Sequence, residues 1–309
     1  MANKVVILGS LNMDYILHIS RLPLPGETMS MNDKSSASGG KGANQAVAAA
    51  RAGQADTSFI GRIGQDPTGQ VLTENLRNDH VDTSKIKIDP TCESGQAFIL
   101  LQESGQNSIL VYGGANQRVS KQDIDAAKDL IKNADFLVAQ FEVPVETVDY
   151  AFKYAKSVGV KTILNPAPAK QGLPKDLLKL SDLVCPNETE AEQITGIKVT
   201  DEASLKANAQ KFAEMGCQRL IVTLGEHGSY YSDGIKNNSG LVKAFKVKPK
   251  DTTGAGDTFI GSLAADLKPD FSNLMAAINF ASRASSLAVQ KLGAQPSIPT
   301  LKEIKNSLN

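Results

Sequence analysis

The sequence predicts an α/β fold: a three-layer sandwich around a mostly parallel sheet, with a small β-sheet lid projecting from it. Three observations predict this. After residue 116, apolar strand-like runs alternate with segments of helical period, the rhythm of parallel βαβ units covered on both faces. Two stretches, 15–38 and 95–113, break that rhythm with short alternating pieces and turns, and together they can pair as a separate sheet. Polar, small and acidic residues recur just past the ends of the apolar strands, where ligands bind in open α/β sheets. On this reading 1–14, 39–94 and 114–309 form the core, and 15–38 with 95–113 form the lid.

Composition narrows the class. A chain of 309 residues with 41% hydrophobic content can bury a substantial core. Its 33 basic and 33 acidic residues balance, and no basic block appears, which argues against a nucleic-acid or acidic-membrane surface. The apolar run near the N-terminus is too short for a signal peptide and reads as a first strand. No segment approaches the length of a membrane span. Cys92, Cys185 and Cys217 are far apart, without metal or redox spacing, and read as reduced thiols of a cytoplasmic protein. His18, His80 and His227 are equally scattered, giving little support to a zinc site or a Ser-His-Asp triad.

The elements follow in order. Lys4 to Gly9 is a β-branched apolar strand, followed by Asn12-Met13-Asp14. Gly39-Gly40-Lys41-Gly42 leads into an alanine-rich helix from Ala43 to Ala52, which Gly53 ends. Thr57 to Gly61 is a strand and Asp66 to Asp79 a helix. Gln96 to Leu101 and Asn107 to Tyr112 are strands joined by the turn Glu103-Ser-Gly-Gln106. Strands are expected at Phe136 to Gln140, Lys161 to Leu164, Leu183 to Cys185 and Leu220 to Leu224. Helices are expected at Glu146 to Val158, after Pro186-Asn187-Glu188-Thr189-Glu190, and at Ala203 to Met215. Short β segments fill 228–248, and helical regions near 271–290 and 300–308 close the chain.

Asp251-Thr-Thr-Gly-Ala-Gly-Asp257-Thr-Phe is the stretch with the strongest chemical content. Ile260, Leu263, Ala264 and Leu267 recur at helical spacing, which predicts a helix starting near residue 255 with one buried face. A helix start presents unpaired N–H groups and a positive dipole end, and small residues let an anion approach them. An acid there makes sense if Asp257 takes a proton from a hydroxyl while the N–H groups hold the phosphoryl group that this hydroxyl attacks. A plain turn with an acid favoured by the dipole fits the same residues. The familiar phosphate loops do not: residues 254–259 lack the last glycine of the dinucleotide fingerprint, and Gly39-Gly40-Lys41-Gly42 lacks the Ser or Thr of a P-loop.

Taken together, the motifs resemble the ribokinase branch of the PfkB carbohydrate kinase family over essentially the whole chain. Residues 39–46 (Gly-Gly-Lys-Gly-Ala-Asn-Gln-Ala) look like its N-terminal signature and 251–259 like its C-terminal one. Asn12-Met-Asp14, Asn165-Pro-Ala-Pro168, Pro186-Asn-Glu-Thr-Glu190 and Gly293-Ala-Gln-Pro-Ser297 match in the expected order. The resemblance implies a ribokinase-like fold and transfer of the ATP γ-phosphate to O5 of D-ribose. Asp257 would be the base, with the N–H groups of Gly254, Ala255 and Gly256 as anion hole. Asn12, Asp14, Gly40, Lys41, Asn44 and Glu142 match sugar-contacting positions. Asn187, Thr223, Gly225, Gly256 and Asn279 match nucleotide positions, and Glu190 matches a position linked to Mg²⁺ through water. The resemblance further implies a K⁺ activator held by Asp251, Thr253, Ala288, Gly293 and Ser297, and a homodimer formed through the lid. Sister kinases for deoxyribose, fructose, a phosphosugar or a nucleoside are the nearest rivals; a non-catalytic binding regulator would have no need of Asp257.

Overall fold

The computed structural model describes residues 2–170, 172–174 and 176–307. Strand β1 (Lys4–Leu8) runs almost directly into β2 (Asn12–Ile19), which returns as β3 (Asp33–Gly39). Helix α1 (Lys41–Arg51), strand β4 (Asp56–Gly64), helix α2 (Pro67–Asn78) and strand β5 (Asp82–Asp89) follow, then the hairpin β6 (Gly95–Gln102) and β7 (Asn107–Tyr112). Two short helices, α3 (Lys121–Asp125) and α4 (Lys128–Lys132), precede β8 (Phe136–Ala139), α5 (Val145–Ser157), β9 (Lys161–Leu164) and β10 (Leu183–Val184). Then come α6 (Glu188–Thr195), α7 (Glu202–Glu214) and β11 (Arg219–Thr223), with the hairpin β12 (Ser229–Asp233) and β13 (Asn238–Val242). Helices α8 (Ala255–Asp266), α9 (Leu274–Ala288) and α10 (Leu301–Asn306) complete the described chain; Leu308, at the end of the last expected helix, lies outside the described residues.

The main sheet has nine strands in the order β13-β12-β11-β10-β9-β8-β1-β4-β5, and from β11 to β5 every neighbour is parallel. Successive side chains of a strand point to opposite faces, and β1 shows the result. Val5 and Ile7 join the core under α1, α8 and α9, whereas Val6 and Leu8 join the core under α5, α6 and α7. A sheet buried on both faces needs this continuous apolar run rather than an alternating one. Strand β5, on the sheet edge, was not anticipated; its pattern of charged and apolar residues reflects an edge with one open side.

The small sheet has four strands in the order β3-β2-β6-β7. β2 pairs with β6 in parallel and with β3 antiparallel. Because β2 begins at Asn12, that residue and Asp14 belong to this sheet, not to the core segment 1–14 expected from sequence. The connection from β1 is only Gly9-Ser10-Leu11, too short for the chain to leave the sheet end before pairing again.

Helix α8 also departs from expectation. It is buried from Asp257 through Ala265, on all sides rather than on one face. It lies against both α1 and α9, and a helix enclosed in this way is built mainly of small and apolar residues, with Asp257, Thr258 and Ser262 as its buried polar groups. Helix α1 begins at Lys41, two residues earlier than expected, so Lys41 and Gly42 form its first turn. No helix among the described residues is long and apolar enough to cross a membrane.

Candidate active site

The ends of β9, β10 and β11 open onto one cleft at the N-terminus of α8. A cavity of about 220 Å³ lies there, lined by Lys41, Asn187, Glu190 and Thr223 together with Gly254, Ala255, Gly256 and Asp257. Asn165, Cys185 and Thr252 also line it. These residues come from five separate segments, and the parallel strand order brings them to one edge.

Gly254 caps α8 with a left-handed backbone (φ 74°), a conformation that costs other residues about 1–2 kcal/mol. That turn aims the first N–H groups of the helix at the cleft. Those of Gly254, Gly256 and Asp257 have no partner among the described residues, as the first turn of a helix leaves them. Ala255, the third expected anion donor, instead closes a turn onto the Thr252 carbonyl at 3.2 Å, which tightens the helix start. Thr258 donates its N–H to the Gly254 carbonyl, 2.8 Å away, and begins the regular helix.

Asp257 follows on the first turn, 8% exposed. Its Oδ2 accepts from Asn44 Nδ2 and its Oδ1 from Gln45 Nε2, each at 3.0 Å. Both donors come from α1, buried with its alanines against α8. Lys41 stands at the head of the same helix. Burial opposes its charge, but Asp257, Glu142 and Glu190 outweigh it and hold its pKa above the ordinary lysine value.

The sugar-side residues surround this point. Asp14 is raised from 3.8 to about 7, first by burial and then by the charges of Glu142 and Asp257. Its carboxylate lies over Gly39, where a Cβ would sit 2.1 Å from Oδ2, so a side chain at that position would displace the carboxylate. Asn12 is held by Asn116, whose Nδ2 donates to Asn12 Oδ1 at 2.7 Å and to the Leu11 carbonyl at 3.0 Å. Asn12 therefore keeps its own amide N–H groups to donate. Gly40, buried with φ 90°, ends the loop between β3 and α1. Glu142 is tied locally: its Oε2 accepts from Ser10 Oγ at 2.5 Å and from the Lys41 N–H at 2.9 Å. It caps the start of α1 with negative charge, favourable to the helix dipole.

On the other side, Asn187 caps α6 by accepting the Glu190 N–H at 2.8 Å, while Glu190 Oε2 accepts the Asn187 N–H at 2.9 Å. Glu190 is raised above the usual carboxylate range by burial, which the Asn187 bond and Lys41 offset only in part. Asn187 bridges to Thr223 at the end of β11, and Gly225 turns the chain just beyond, outside the cavity lining. Asn279 is not brought to the cavity: it is exposed on α9, its amide bonded back to the Met275 carbonyl at 2.9 Å.

Of the residues expected around a monovalent cation, Asp251 is bonded to Thr253 and Gly293, while Ser297 and Ala288 make local bonds. Asp251 Oδ1 accepts from the Thr253 N–H at 2.9 Å and Oδ2 from the Gly293 N–H at 2.8 Å. Those hydrogen bonds outweigh burial and hold Asp251 below the usual carboxylate range. Ser297, fully buried, donates to the Ala294 carbonyl at 2.7 Å, and the Ala288 carbonyl accepts from the Lys291 N–H at 3.0 Å.

Sequence reasoning missed Asn116, Ser10, Gln45 and Gln140. A signal existed for the last: a glutamine directly after the wholly apolar Phe136–Ala139 sits at the catalytic edge of the sheet. No group of three or more His, Cys, Asp or Glu among the described residues is arranged to hold a metal ion.

The chain is 51% identical over 98% of its length to a ribokinase of Staphylococcus aureus, 99% of which is covered. It is 33% identical to a deoxyribokinase of Salmonella typhi, covering 99% of this chain and 98% of that one. The structure of Arabidopsis thaliana ribokinase complexed with ribose and ATP superposes with a TM-score of 0.92 at 32% identity, covering 100% of this chain and 99% of that one. The model of the pfkB family carbohydrate kinases matches residues 2–301. The chain belongs to the pfkB family of carbohydrate kinases.

Proposed function

We propose that this protein is an ATP-dependent ribose kinase, transferring the γ-phosphoryl group of ATP to O5 of D-ribose. The observation that carries the reading is the start of α8. There a buried carboxylate, oriented by two amides, adjoins unpartnered helix N–H groups that face Lys41 across one cleft. Asp257 removes the proton of the sugar hydroxyl, and the oxygen attacks the γ-phosphorus. The new O–P bond forms as the bond to the bridging oxygen breaks, ADP departs, and the proton leaves Asp257 to solvent with product. The N–H groups of Gly254 and Gly256, joined by Ala255 when its turn to Thr252 opens, and the Lys41 ammonium take up charge on the phosphoryl oxygens. Positioning and charge stabilisation of this kind carry most of phosphoryl-transfer catalysis.

Asp14, Asn12, Asn44, Gly40 and Glu142 form the sugar side of this reading, since carboxylates and amides bind vicinal hydroxyls in pairs. Asn187 and Thr223 form the nucleotide side at the cavity, and Gly225 and Asn279, which lie outside its lining, would meet the nucleotide only beyond it. Glu190 would hold Mg²⁺ through water, and the metal would neutralise charge on the phosphates. Asp251 with the carbonyls of Thr253, Ala288 and Gly293 and with Ser297 is an all-oxygen set, the chemistry of a hard cation such as K⁺. Bound there, K⁺ would stiffen the 251–254 loop. The lid supplies a dimer surface, because Ile109, Leu110, Val111 and Tyr112 of edge strand β7 are all exposed. Three free cysteines suit a cytoplasmic protein.

The test is ADP release with ATP and Mg²⁺ against D-ribose, 2-deoxy-D-ribose, D-fructose, fructose 1-phosphate and adenosine, each with and without K⁺. Ribose-dominant, K⁺-stimulated turnover is expected. Preference for another acceptor reassigns the sugar pocket, and no turnover with any acceptor overturns the kinase reading.

A further inference from the structure

Behind Asp257 lies a chain of buried amides that the transfer reaction does not itself use. Gln45 Nε2 donates to Asp257 Oδ1 at 3.0 Å and also to Asn165 Oδ1 at 3.1 Å. Gln45 Oε1 in turn accepts from Gln140 Nε2 at 2.5 Å, and Asn165 Nδ2 donates to the Cys185 carbonyl at 3.1 Å. Gln45 and Gln140 are 0% exposed and Asn165 is 6% exposed. The four groups come from α1, the end of β8, the end of β9 and the first turn of α8, so each is fixed by a different element.

The direction of every bond follows from the carboxylate. An ionised Asp257 only accepts, so Gln45 has to present its NH₂ group. Its oxygen then points away and needs a donor, which Gln140 supplies. Gln140 is left with Oε1 unpartnered and aimed at Gly9, where a Cβ would lie 2.4 Å away. A buried carbonyl oxygen left without a donor is costly. Retaining Gln140 in that state indicates that its NH₂ group is the part the site requires.

We propose that Gln45 and Gln140 are positioning residues for Asp257: Gln140 fixes the polarity of the Gln45 amide, and Gln45 fixes the plane of the carboxylate. The inference rests on Asp257 being the base. Neutral amides orient the carboxylate and leave one lone pair on each oxygen for the sugar hydroxyl. Without Gln140, the Gln45 amide is free to rotate and turn its oxygen toward Asp257, where two acceptors face each other and the hold on the carboxylate plane is lost.

The experiment is steady-state kinetics for Gln45→Met, Gln140→Met and the double variant, with ribose and ATP each varied. Methionine keeps the shape and removes the amide. For Gln45→Met, kcat should fall by up to about 100-fold, the cost typical of a misplaced reacting group, with both KM values unchanged. Gln140→Met should lower kcat in the same way by less, and the double variant should be no worse than Gln45→Met. A wild-type kcat in Gln45→Met overturns the proposal, as does a loss of activity accompanied by raised KM values. Should Gln45→Met not fold, Gln140→Met reads the same chain, and an unchanged kcat there overturns it equally. Asp257→Asn, assayed alongside, separates the two ideas: if it keeps turnover, the base assignment itself has failed.

Discussion

The first turn of α8 and the strand β7 are the two extremes of this molecule. Asp257 sits 8% exposed with hydrogen bonds to both oxygens, whereas Leu110 on β7 is 62% exposed. The first is held by three layers of structure, and the second is an open sheet edge. The proposed sugar side lies between them on β2, whose Asn12 is buried at the core end while its middle residues are half exposed. On the proposed reading the labour is divided: the base sits where the fold enforces geometry, and the acceptor is met by a sheet with fewer constraints, which suits a lid that closes over substrate.

The sharpest way to break this comparison is at its rigid end. Asp257→Asn should lower kcat by about 10²–10⁴-fold, the usual contribution of a general base. Calorimetry should find ATP and ribose affinity nearly unchanged, and wild-type-like turnover would remove Asp257 from the mechanism. Gly254→Ala comes next. It forces a side chain into the left-handed region and puts a Cβ 3.2 Å from Ala294. A loss of about 1–2 kcal/mol in stability is expected, with kcat reduced up to about 10²-fold as the N–H groups lose their aim. Thermal denaturation and kinetics together check this.

In the intermediate zone the prediction concerns pH. Asp14 is raised to about 7 in the folded protein. Below that pH it keeps its proton; above it the ionised carboxylate accepts from two hydroxyls, and charge-assisted bonds are the stronger ones. The KM for ribose should therefore fall as pH rises through about 7, and the step should vanish in Asp14→Asn. Stability should run the other way. The native state holds the proton more tightly than the unfolded chain, so this group favours folding at low pH. Stability is lost as pH rises from the ordinary aspartate value of 3.8 through about 7. A stability profile lacking that fall, or one unaltered by Asp14→Asn, would contradict the assignment.

The smallest effect on catalysis belongs to the open edge. Leu110→Lys should weaken the proposed dimer by about 10- to 100-fold, from the roughly 1.5–3 kcal/mol that burying such a side chain contributes. Turnover at saturating substrate should barely change. Sedimentation showing a monomer already in the unaltered protein would refute the lid dimer.

Reading the sequence located most of this, for reasons that differ by region. The parallel strands were visible because strands buried on both faces need unbroken apolar runs, as in Val5 to Leu8 and Phe136 to Ala139. The helix at Asp257 was visible because glycines, an acid and helical spacing coincide. Strand β5 was not, since its edge position permits charged residues that blur the pattern. The full burial of α8 was equally hidden, because small and apolar residues on every face do not reveal how many neighbours a helix has.

By itself, then, the sequence determined the order of strands and helices, the glycine-acid turn at 254–257 and the polar residues waiting at strand ends. These depend on local spacing and on backbone preferences that act over a few residues. Tertiary structure alone decided that Gln140, Gln45 and Asp257 share one hydrogen-bonded line, that Asn116 orients Asn12, and that Glu142 caps α1. Those pairings join positions about a hundred or more residues apart, which local spacing cannot reveal and which the packing of the two sheets and α1 brings together.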